Sequence, residues 1–218
     1  TSDPVDVTVI PNGVDALYFC PSGSSIRTDH LPLRLLLVGR FHRQKLIPET
    51  IRWLAQARSQ GLECCVTIAG DGPEYNVVES VINDLEMKRF ICLKGWLKKD
   101  ELIEQYQQAD CYLNLSGYEG LPNTVLEAMA CALPVIASDI PPHRRLVKHQ
   151  VTGYLVDLER PEDFINQLIK LATDRRRGRV MGEAGREFVL KSHSWTVVAE
   201  NYMALFAEGQ KEAPRIVV

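Results

Sequence analysis

Apolar residues along this chain form short continuous runs that alternate with longer stretches of helical spacing. Short runs of this kind predict strands covered on both faces, as in a parallel sheet. The predicted strands are Leu33–Val38, Val66–Ala69, Phe90–Leu93, Cys111–Leu115, Pro134–Ala137 and Gly153–Val156. An earlier β-branched run, Val7–Ile10, ends in the turn signal Pro11-Asn12-Gly13.

Between these runs, apolar side chains recur at helical spacing. Pro48 and Pro161 suit the first turns of two such helices, where proline is favoured. Two more helix patterns close the chain, around Val180–Val189 and Trp195–Phe206. The inward positions of the other helices are Ile51, Leu54, Ala55; Val77, Val78, Val81, Ile82, Leu85; Leu102, Ile103, Tyr106; Val125, Leu126, Ala128, Met129, Ala132; and Phe164, Ile165, Leu168, Ile169.

This alternation of strands and helices predicts an α/β fold. We expect a Rossmann-like, doubly wound and mostly parallel sheet, with helices on both faces and right-handed crossovers. Ligands of such sheets bind beyond the carboxyl ends of the strands. The predicted turns at these ends are rich in glycine, and we expect them to meet at one crevice: Gly39, Gly70, Gly72, Gly95, Gly117 and Gly120.

Composition and charge exclude some classes of function. The 218 residues are 45% hydrophobic and 24% charged, which is typical of a globular domain, and the net charge of -3 argues against a nucleic-acid partner. The basic run Arg175–Arg179 falls between two helix patterns and is predicted to be a helix end or a solvated face. No apolar run reaches transmembrane length, and we expect no signal peptide.

The metal-ligating residue types are scattered. None of the six cysteines is paired in a C-x-x-C spacing, so we expect buried, reduced thiols in a cytosolic protein. The five histidines form no metal-type cluster, and the sequence has no Asp-x-Asp pair. We therefore expect no metal and no cofactor.

The stretch Ser116–Pro134 carries the most chemistry, because it predicts a strand end, a tight turn and a helix start with two glutamates. The amide groups of a helix's first turn favour an anionic ligand. Since carboxylates repel phosphate, Glu119 and Glu127 are interpreted as hydroxyl acceptors. Three alternatives remain open: a glycosidase carboxylate pair, an exposed turn residue at Glu119, and a capping box formed by Thr124 with Glu127.

Two cations follow the first strand. Arg40 and Lys45 would clamp a diphosphate at the crevice, and the alternative is that both are solvated loop residues. Gly70-Asp71-Gly72-Pro73 resembles the start of a dinucleotide fingerprint, but Tyr75 stands where the third glycine is needed. We therefore predict a turn that lines the pocket and not an NAD site.

Together these motifs resemble the donor-binding half of a family 4 retaining glycosyltransferase with the GT-B fold. Each motif is weak alone, but their order and spacing along almost the whole chain are specific. The matching segments are VIPNGVD (Val9–Asp15), VGR with its downstream lysine (Val38–Lys45), IAGDGP (Ile68–Pro73), LKGW (Leu93–Trp96), the two-glutamate block (Glu119–Glu127), LPVIASD (Leu133–Asp139) and TGYLV (Thr152–Val156).

The resemblance implies a role for each site residue. Arg40 and Lys45 would hold the diphosphate of a nucleotide sugar, Glu119 would contact the sugar hydroxyls, and Glu127 would accept from the ribose. Arg40, Lys45 and Glu119 would form the catalytic group. The implied donor-binding set is Gly39, Arg40, Lys45, Gly70, Trp96, Leu97, Glu119, Gly120, Leu121, Pro122, Asn123, Thr124 and Glu127.

Three positions depart from the family's pattern. Leu46 and Ala132 stand where glycine is usual, and Arg145 stands where an acidic residue is common. Leu46 directly follows the diphosphate-binding lysine, so its side chain bears on how closely the next helix approaches the phosphate.

The resemblance also implies how the chain is organised. We expect one nucleotide-sugar-binding domain over residues 1–218, excised from a longer protein. Residues 1–30 would lead in from an absent acceptor-binding lobe, and residues 194–208 would form a helix that packs toward that lobe. The isolated chain would then be inactive.

The implied activity is transfer of a sugar from a UDP- or GDP-linked donor in polysaccharide or glycolipid biosynthesis. The implied location is the cytoplasm, with peripheral association of the full-length protein with the inner face of the membrane. The alternatives are a nucleotide-sugar epimerase or hydrolase of GT-B fold, and a non-catalytic nucleotide-sugar-binding domain.

Overall fold

The computed structural model describes residues 8–22 and 32–212. Residues 1–7 and 23–30 of the predicted lead-in lie outside the described residues. The described lead-in contacts the segment just before the last predicted helix, because the amide of Val14 donates to the carbonyl of His193 at 2.7 Å. Within the described ranges, no helix combines the length and apolar character that crossing a membrane would need.

Six strands form one sheet in which each hydrogen-bonded pair is parallel. They are β1 (Leu33–Val38), β2 (Cys64–Ala69), β3 (Ile91–Gly95), β4 (Cys111–Asn114), β5 (Val135–Ser138) and β6 (Gly153–Val156). Their order across the sheet is β3-β2-β1-β4-β5-β6, which is the order of a Rossmann-type doubly wound sheet. The predicted fold class is confirmed.

Among the described residues, five α-helices connect these strands and three follow the last strand. They are α1 (Ile47–Ser59), α2 (Tyr75–Asp84), α3 (Lys99–Gln108), α4 (Asn123–Ala130), α5 (Pro141–Leu146), α6 (Pro161–Thr173), α7 (Arg175–Ser192) and α8 (Trp195–Glu212). The basic run Arg175–Arg179 forms the first turns of α7, so its interpretation as a helix end is confirmed. The short helix α5 was not predicted, because its sequence PPHRRL offers a single aliphatic position, Leu146.

The core lies on both faces of the sheet. Leu35 and Leu37 of β1 pack on one face with apolar residues of α1, α2 and α6. Leu36, between them, packs on the other face with residues of α3 and α4. Successive side chains of a strand point to opposite faces, so the apolar run of β1 is explained by helices on both sides.

Coverage is thinner toward the β3 edge, and this corrects two expectations. Cys65 and Cys92 are exposed, although we expected buried thiols there, because the burial of β2 and β3 alternates where strands less fully covered on one face leave side chains accessible. Val77 and Leu85, predicted as inward positions of α2, are 49% and 39% exposed.

Two of the departures from the family's pattern fall at unusual backbone conformations. Leu46 has a φ of 47° and Ala132 has a φ of 55°, both in the left-handed region. A side chain in this region costs roughly 1–2 kcal/mol, whereas glycine adopts it freely. The left-handed backbone explains why glycine is usual at these two positions. This chain has the same backbone conformation with leucine and alanine.

We predict that Ala132→Gly raises the free energy of unfolding by about 0.5–1 kcal/mol, because relief of the left-handed strain outweighs the added freedom of the unfolded chain. Leu46→Gly should gain less, since Leu46 is half-buried and loses apolar contact. Urea denaturation measures both. Ala57→Gly, in the buried face of α1, is the control and should destabilise; an equal loss in Ala132→Gly would contradict the prediction.

Candidate functional site

The switch point of the sheet, where the strand order reverses, lies between β1 and β4. From β1 the chain builds outward to β2 and β3, and it then returns to add β4 on the other side of β1. Sheets of this kind open a crevice at the carboxyl ends of the two strands at such a switch point. The loop after β1 carries Arg40 and Lys45, and the turn after β4 carries Glu119. The topology therefore places the predicted cations and carboxylate at one crevice.

The loops around this crevice are fixed to one another. The amide of Gly117 donates to the carbonyl of Gln44 at 2.8 Å, which ties the turn after β4 to the loop after β1. A Cβ at Gly70 would lie 1.9 Å from the carbonyl oxygen of Gly39, and one at Gly72 would lie 2.5 Å from that of Phe41. The glycines after β2 are thus required because two turns pack backbone against backbone.

Lys45 and Glu119 form an ion pair across the crevice. Lys45 Nζ lies 2.5 Å from Glu119 Oε1, and the two side chains are only 18% and 8% exposed. Ser116 Oγ donates to the same carboxylate oxygen at 2.7 Å. Two alternatives are therefore wrong: Lys45 is not a solvated loop cation, and Glu119 is not an exposed turn residue.

The other predicted residues of the crevice are more open. Arg40 is exposed just beyond the end of β1, and Trp96 is 80% exposed beyond the end of β3. Gly70, after β2, donates its amide to the carbonyl of Gly95 at 2.7 Å and so fixes the turn that carries Trp96 and Leu97. From β3 to β4 the sheet spans three inter-strand spacings, on the order of 15 Å, so an extended ligand would reach across these turns.

Helix α4 begins beside Glu119. Its N-cap residue is Pro122, whose side chain cannot accept a hydrogen bond from the first amides of the helix. The amides of Asn123 and Thr124 open this helix, and Asn123 is exposed. Amides at a helix start carry partial positive charge and favour an anion. Gly120 and Leu121 form the approach to it.

A tyrosine on helix α3 forms a hydrogen bond with the carboxylate of Glu127. Tyr106 donates its hydroxyl hydrogen to Glu127 Oε2 at 2.8 Å. Thr124 lies inside α4 and not at its N-cap, so the alternative of a capping box formed by Thr124 with Glu127 is wrong. Burial raises the pKa of Glu127, although the Tyr106 hydrogen bond and the charge of Lys99 act in the opposite direction. Glu127 thus lies where burial disfavours its charged form, while Tyr106 and Lys99 favour it.

We predict that Glu127→Gln stabilises the fold by about 0.5–1 kcal/mol at neutral pH, because it removes a partly desolvated charge and keeps an oxygen for Tyr106. The raised pKa fixes the pH dependence. The ionised carboxylate lowers stability above its folded-state pKa, and this penalty disappears as the pH falls below its unfolded-state pKa. The stabilisation should therefore shrink in acid, as measured by denaturation from pH 7 to pH 4. A gain that grows in acid would contradict it.

The sequence interpretation missed several residues behind the crevice. Tyr106 was predicted only as part of an apolar stripe, although a buried tyrosine hydroxyl usually needs a partner. Ser138 ends β5, beside β4, and its hydroxyl donates to the carbonyl of Ser116 at 2.6 Å. Its place at a strand's carboxyl end could have identified it. His143 was missed because it lies on the unpredicted helix α5.

Metal binding has no obvious set of ligands in the part of the chain that the structure describes. Within these ranges, no three His, Cys, Asp or Glu side chains come together in an arrangement that could hold an ion. The expectation that the site needs no metal stays a prediction.

The sheet order, the switch-point crevice and its charged pair define a Rossmann-like domain with a charged carboxyl edge. The family model of glycosyl transferases group 1 matches residues 25–188. The chain belongs to this family, and the resemblance found in the sequence is confirmed.

Curated relatives agree with this assignment. The chain is 29% identical over 184 residues to the Escherichia coli UDP-Gal:alpha-D-GlcNAc-diphosphoundecaprenol alpha-1,3-galactosyltransferase, a match that covers 79% of this chain and 47% of the relative. It is 30% identical over 155 residues to a GDP-mannose-dependent alpha-(1-6)-phosphatidylinositol monomannoside mannosyltransferase of Mycobacterium tuberculosis, covering 68% of this chain and 40% of that protein. The chain thus spans less than half the length of these relatives.

Solved structures share the fold. Sucrose-phosphate synthase from Thermosynechococcus elongatus superposes with a TM-score of 0.81 at 25% identity, over 94% of this chain and 53% of the other. Anabaena Alr3699/HepE in complex with UDP superposes with a TM-score of 0.82 at 18% identity, over 92% of this chain and 57% of the other. The likeness confirms the expected half of a GT-B architecture.

Proposed function

We propose that this chain is the donor-binding half of a retaining glycosyltransferase that uses a UDP- or GDP-linked sugar. The observation that carries the proposal is the contact between Lys45 and Glu119 at the switch point. A carboxylate beside a diphosphate would repel it. Lys45 neutralises Glu119, and an ammonium group has three N–H donors, so one can hold the carboxylate while others bind phosphate oxygens. A sugar-binding acid can then lie next to a diphosphate.

The crevice residues bind different parts of the nucleotide-sugar donor. Arg40 and Lys45 bind the diphosphate, together with the amides of Asn123 and Thr124. Glu119 accepts hydrogen bonds from the sugar hydroxyls, and Glu127 accepts from the ribose. The turn after β3, with Trp96 and Leu97, presents its backbone to the base. The span from β3 to β4 supports this order of base, ribose, diphosphate and sugar.

The chemistry follows from the charge that develops as the glycosidic bond breaks. Negative charge accumulates on the leaving diphosphate, where the cations and the helix-start amides are already in place to stabilise it. Preorganised donors of this kind typically contribute several kcal/mol to the lowering of the barrier. No metal ion is required if these groups carry the neutralisation. Attack from the face of the departing diphosphate retains the anomeric configuration.

The acceptor site belongs to a second lobe in this proposal. Exposed apolar side chains along α8 support such a neighbour: Tyr202, Met203 and Phe206 are 46%, 71% and 66% exposed. The lipid-linked acceptors in the names of two relatives support polysaccharide or glycolipid assembly. We place the full-length enzyme in the cytoplasm, in peripheral contact with the inner face of the membrane.

Isothermal titration calorimetry of the chain with UDP, GDP and ADP tests the proposal. We expect weak binding of UDP or GDP, unchanged by EDTA, and little sugar transfer because half of the cleft is absent. Glu127→Gln should weaken binding of the same nucleotide through the ribose. Absence of heat with all three nucleotides would sink the assignment of this crevice as a donor site.

A further inference from the structure

A chain of buried hydrogen bonds connects helix α5 to Glu119. His143, Ser138 and Ser116 are each 0% exposed. His143 Nδ1 lies 2.9 Å from the carbonyl oxygen of Ser138 and 3.1 Å from its Oγ. Ser138 Oγ in turn contacts the backbone of Ser116, whose own hydroxyl reaches Glu119. The connection runs behind the crevice and has no exposed member before the carboxylate.

The neighbours of His143 fix its tautomer. A carbonyl oxygen can only accept a hydrogen bond, so Nδ1 carries the ring hydrogen and donates it to Ser138. Nε2 has no hydrogen-bond partner among the described residues, and burial lowers the pKa of His143. The imidazole is therefore neutral, with an unpaired buried nitrogen. Such a nitrogen costs stability, so the position is explained by what Nδ1 holds and not by packing alone.

The Ser138 side chain holds the backbone of Ser116, just beyond the end of β4. Its hydroxyl hydrogen goes to the carbonyl of Ser116 at 2.6 Å, and its oxygen accepts the amide hydrogen of Ser116 at 3.1 Å. The Nδ1–H of His143 makes its shorter contact with the Ser138 carbonyl, at 2.9 Å, and it also lies 3.1 Å from the remaining acceptor position of Oγ. The hydrogen is thus shared between the two oxygens of Ser138 and restrains the rotation of the hydroxyl. Both backbone groups of Ser116 are thus held by one side chain, which sets where the turn after β4 begins.

Ser116, held in this way, contacts Glu119 through its own hydroxyl. Its Oγ lies 2.7 Å from Glu119 Oε1 and 2.8 Å from the amide group of Asn114, but one hydroxyl hydrogen serves a single acceptor. If Asn114 presents its NH₂ group to Ser116 Oγ, the hydroxyl hydrogen is left for Glu119. That orientation also pairs Nδ2, which otherwise has no partner within the described ranges.

We propose that His143 is a positioning residue for Glu119, acting through Ser138 and Ser116 to fix the carboxylate where it meets the donor sugar. The inference rests on the proposed function, because it assumes that Glu119 binds the sugar and not the nucleotide. Loss of His143 should then weaken recognition of the sugar and spare recognition of the nucleoside diphosphate.

Calorimetry on the chain tests this with two ligand pairs, UDP with UDP-galactose and GDP with GDP-mannose. The readout is the ratio of the two dissociation constants in the pair that binds. His143→Leu should reduce the affinity for the nucleotide sugar roughly three- to tenfold relative to the free nucleotide, the value expected for one lost hydrogen bond. His143→Asn, whose NH₂ group can replace Nδ1–H, should restore most of the ratio.

Three comparisons separate positioning from a general structural role. Ser138→Ala should shift the ratio as His143→Leu does, and it serves as the test if His143→Leu fails to fold. His143→Leu added to Glu119→Gln should shift the ratio no further than Glu119→Gln alone. His193→Leu, which removes another buried histidine, should lower the melting temperature and leave the ratio unchanged.

The outcomes also separate this inference from the proposed function. If the unmodified chain binds neither UDP nor GDP, the donor site itself is wrong. If it binds a nucleotide but His143→Leu and Ser138→Ala keep the original ratio, the donor site stands and the positioning role is overturned.

Discussion

Replacing Lys45 with alanine in the full-length enzyme is expected to lower the kcat/KM of sugar transfer by roughly 100- to 1,000-fold, as the loss of one preorganised donor to a developing charge typically does. Two effects combine. The diphosphate loses its most buried cation, and Glu119, only 8% exposed, loses its neutralising partner. An unpaired carboxylate then faces the diphosphate. Steady-state kinetics with the nucleotide sugar measures the loss, and circular dichroism checks that the variant is folded.

Arg43→Ala is the matched control for this prediction. Arg43 lies in the same 3₁₀ turn as Lys45 but is exposed, so its loss should change kcat/KM by less than threefold. Glu119→Gln should also impair transfer, and combining it with Lys45→Ala should cost less than the two losses added together, because the residues act as a pair. Near-normal turnover in Lys45→Ala would remove the basis of the proposed mechanism.

Gly182→Ala is expected to be the most destabilising alanine substitution among the glycines of α7. A Cβ at Gly182 would lie 2.1 Å from the carbonyl oxygen of Ala132 and 2.7 Å from its carbonyl carbon. Backbone cannot move aside as a side chain can, so α7 must separate from the turn that follows α4. We expect a loss of about 3 kcal/mol or more, with a fall in melting temperature of roughly 6–12 °C.

Gly178→Ala, one turn earlier in α7, provides the opposite case. Its Cβ would lie 3.4 Å from Leu171 Cδ2, which is an ordinary contact. Alanine also favours the helix more than glycine, so this variant should be more stable by about 0.5–1 kcal/mol. Thermal denaturation of the two variants decides the matter, and a similar melting temperature for both would show that α7 does not pack closely against α4.

Several features around the crevice lower the stability of the fold. Burial disfavours the charged form of Glu127 and raises its pKa, and Nε2 of His143 is buried without a partner among the described residues. Pro122 leaves the start of α4 without a side-chain cap. Sites that bind charged ligands often carry such costs. The three features lie around one crevice, which strengthens its assignment as the functional site.

The sequence determined the architecture because its apolar runs mark the six strands and its helical stripes mark every described α-helix except α5. Leu33–Val38 and Gly153–Val156 were predicted with the bounds that β1 and β6 have, since each is an apolar run closed by a turn or polar signal. Other strands differ by a residue or two at their ends; β3 runs on to Gly95 because pairing with β2 continues past the apolar residues. The order of the motifs likewise identified the family.

Tertiary structure alone decided which residues meet. Nothing local distinguishes Gly182 from Gly178, and only the approach of α7 to the turn at Ala132 makes one of them indispensable. Lys45 and Glu119 are 74 residues apart, and the sheet order that sets β1 beside β4 brings them into contact. Tyr106 depends in the same way on Glu127, which lies 21 residues further along the chain. Periodicity reports which face of an element is buried, but hydrogen-bond partners are set by packing.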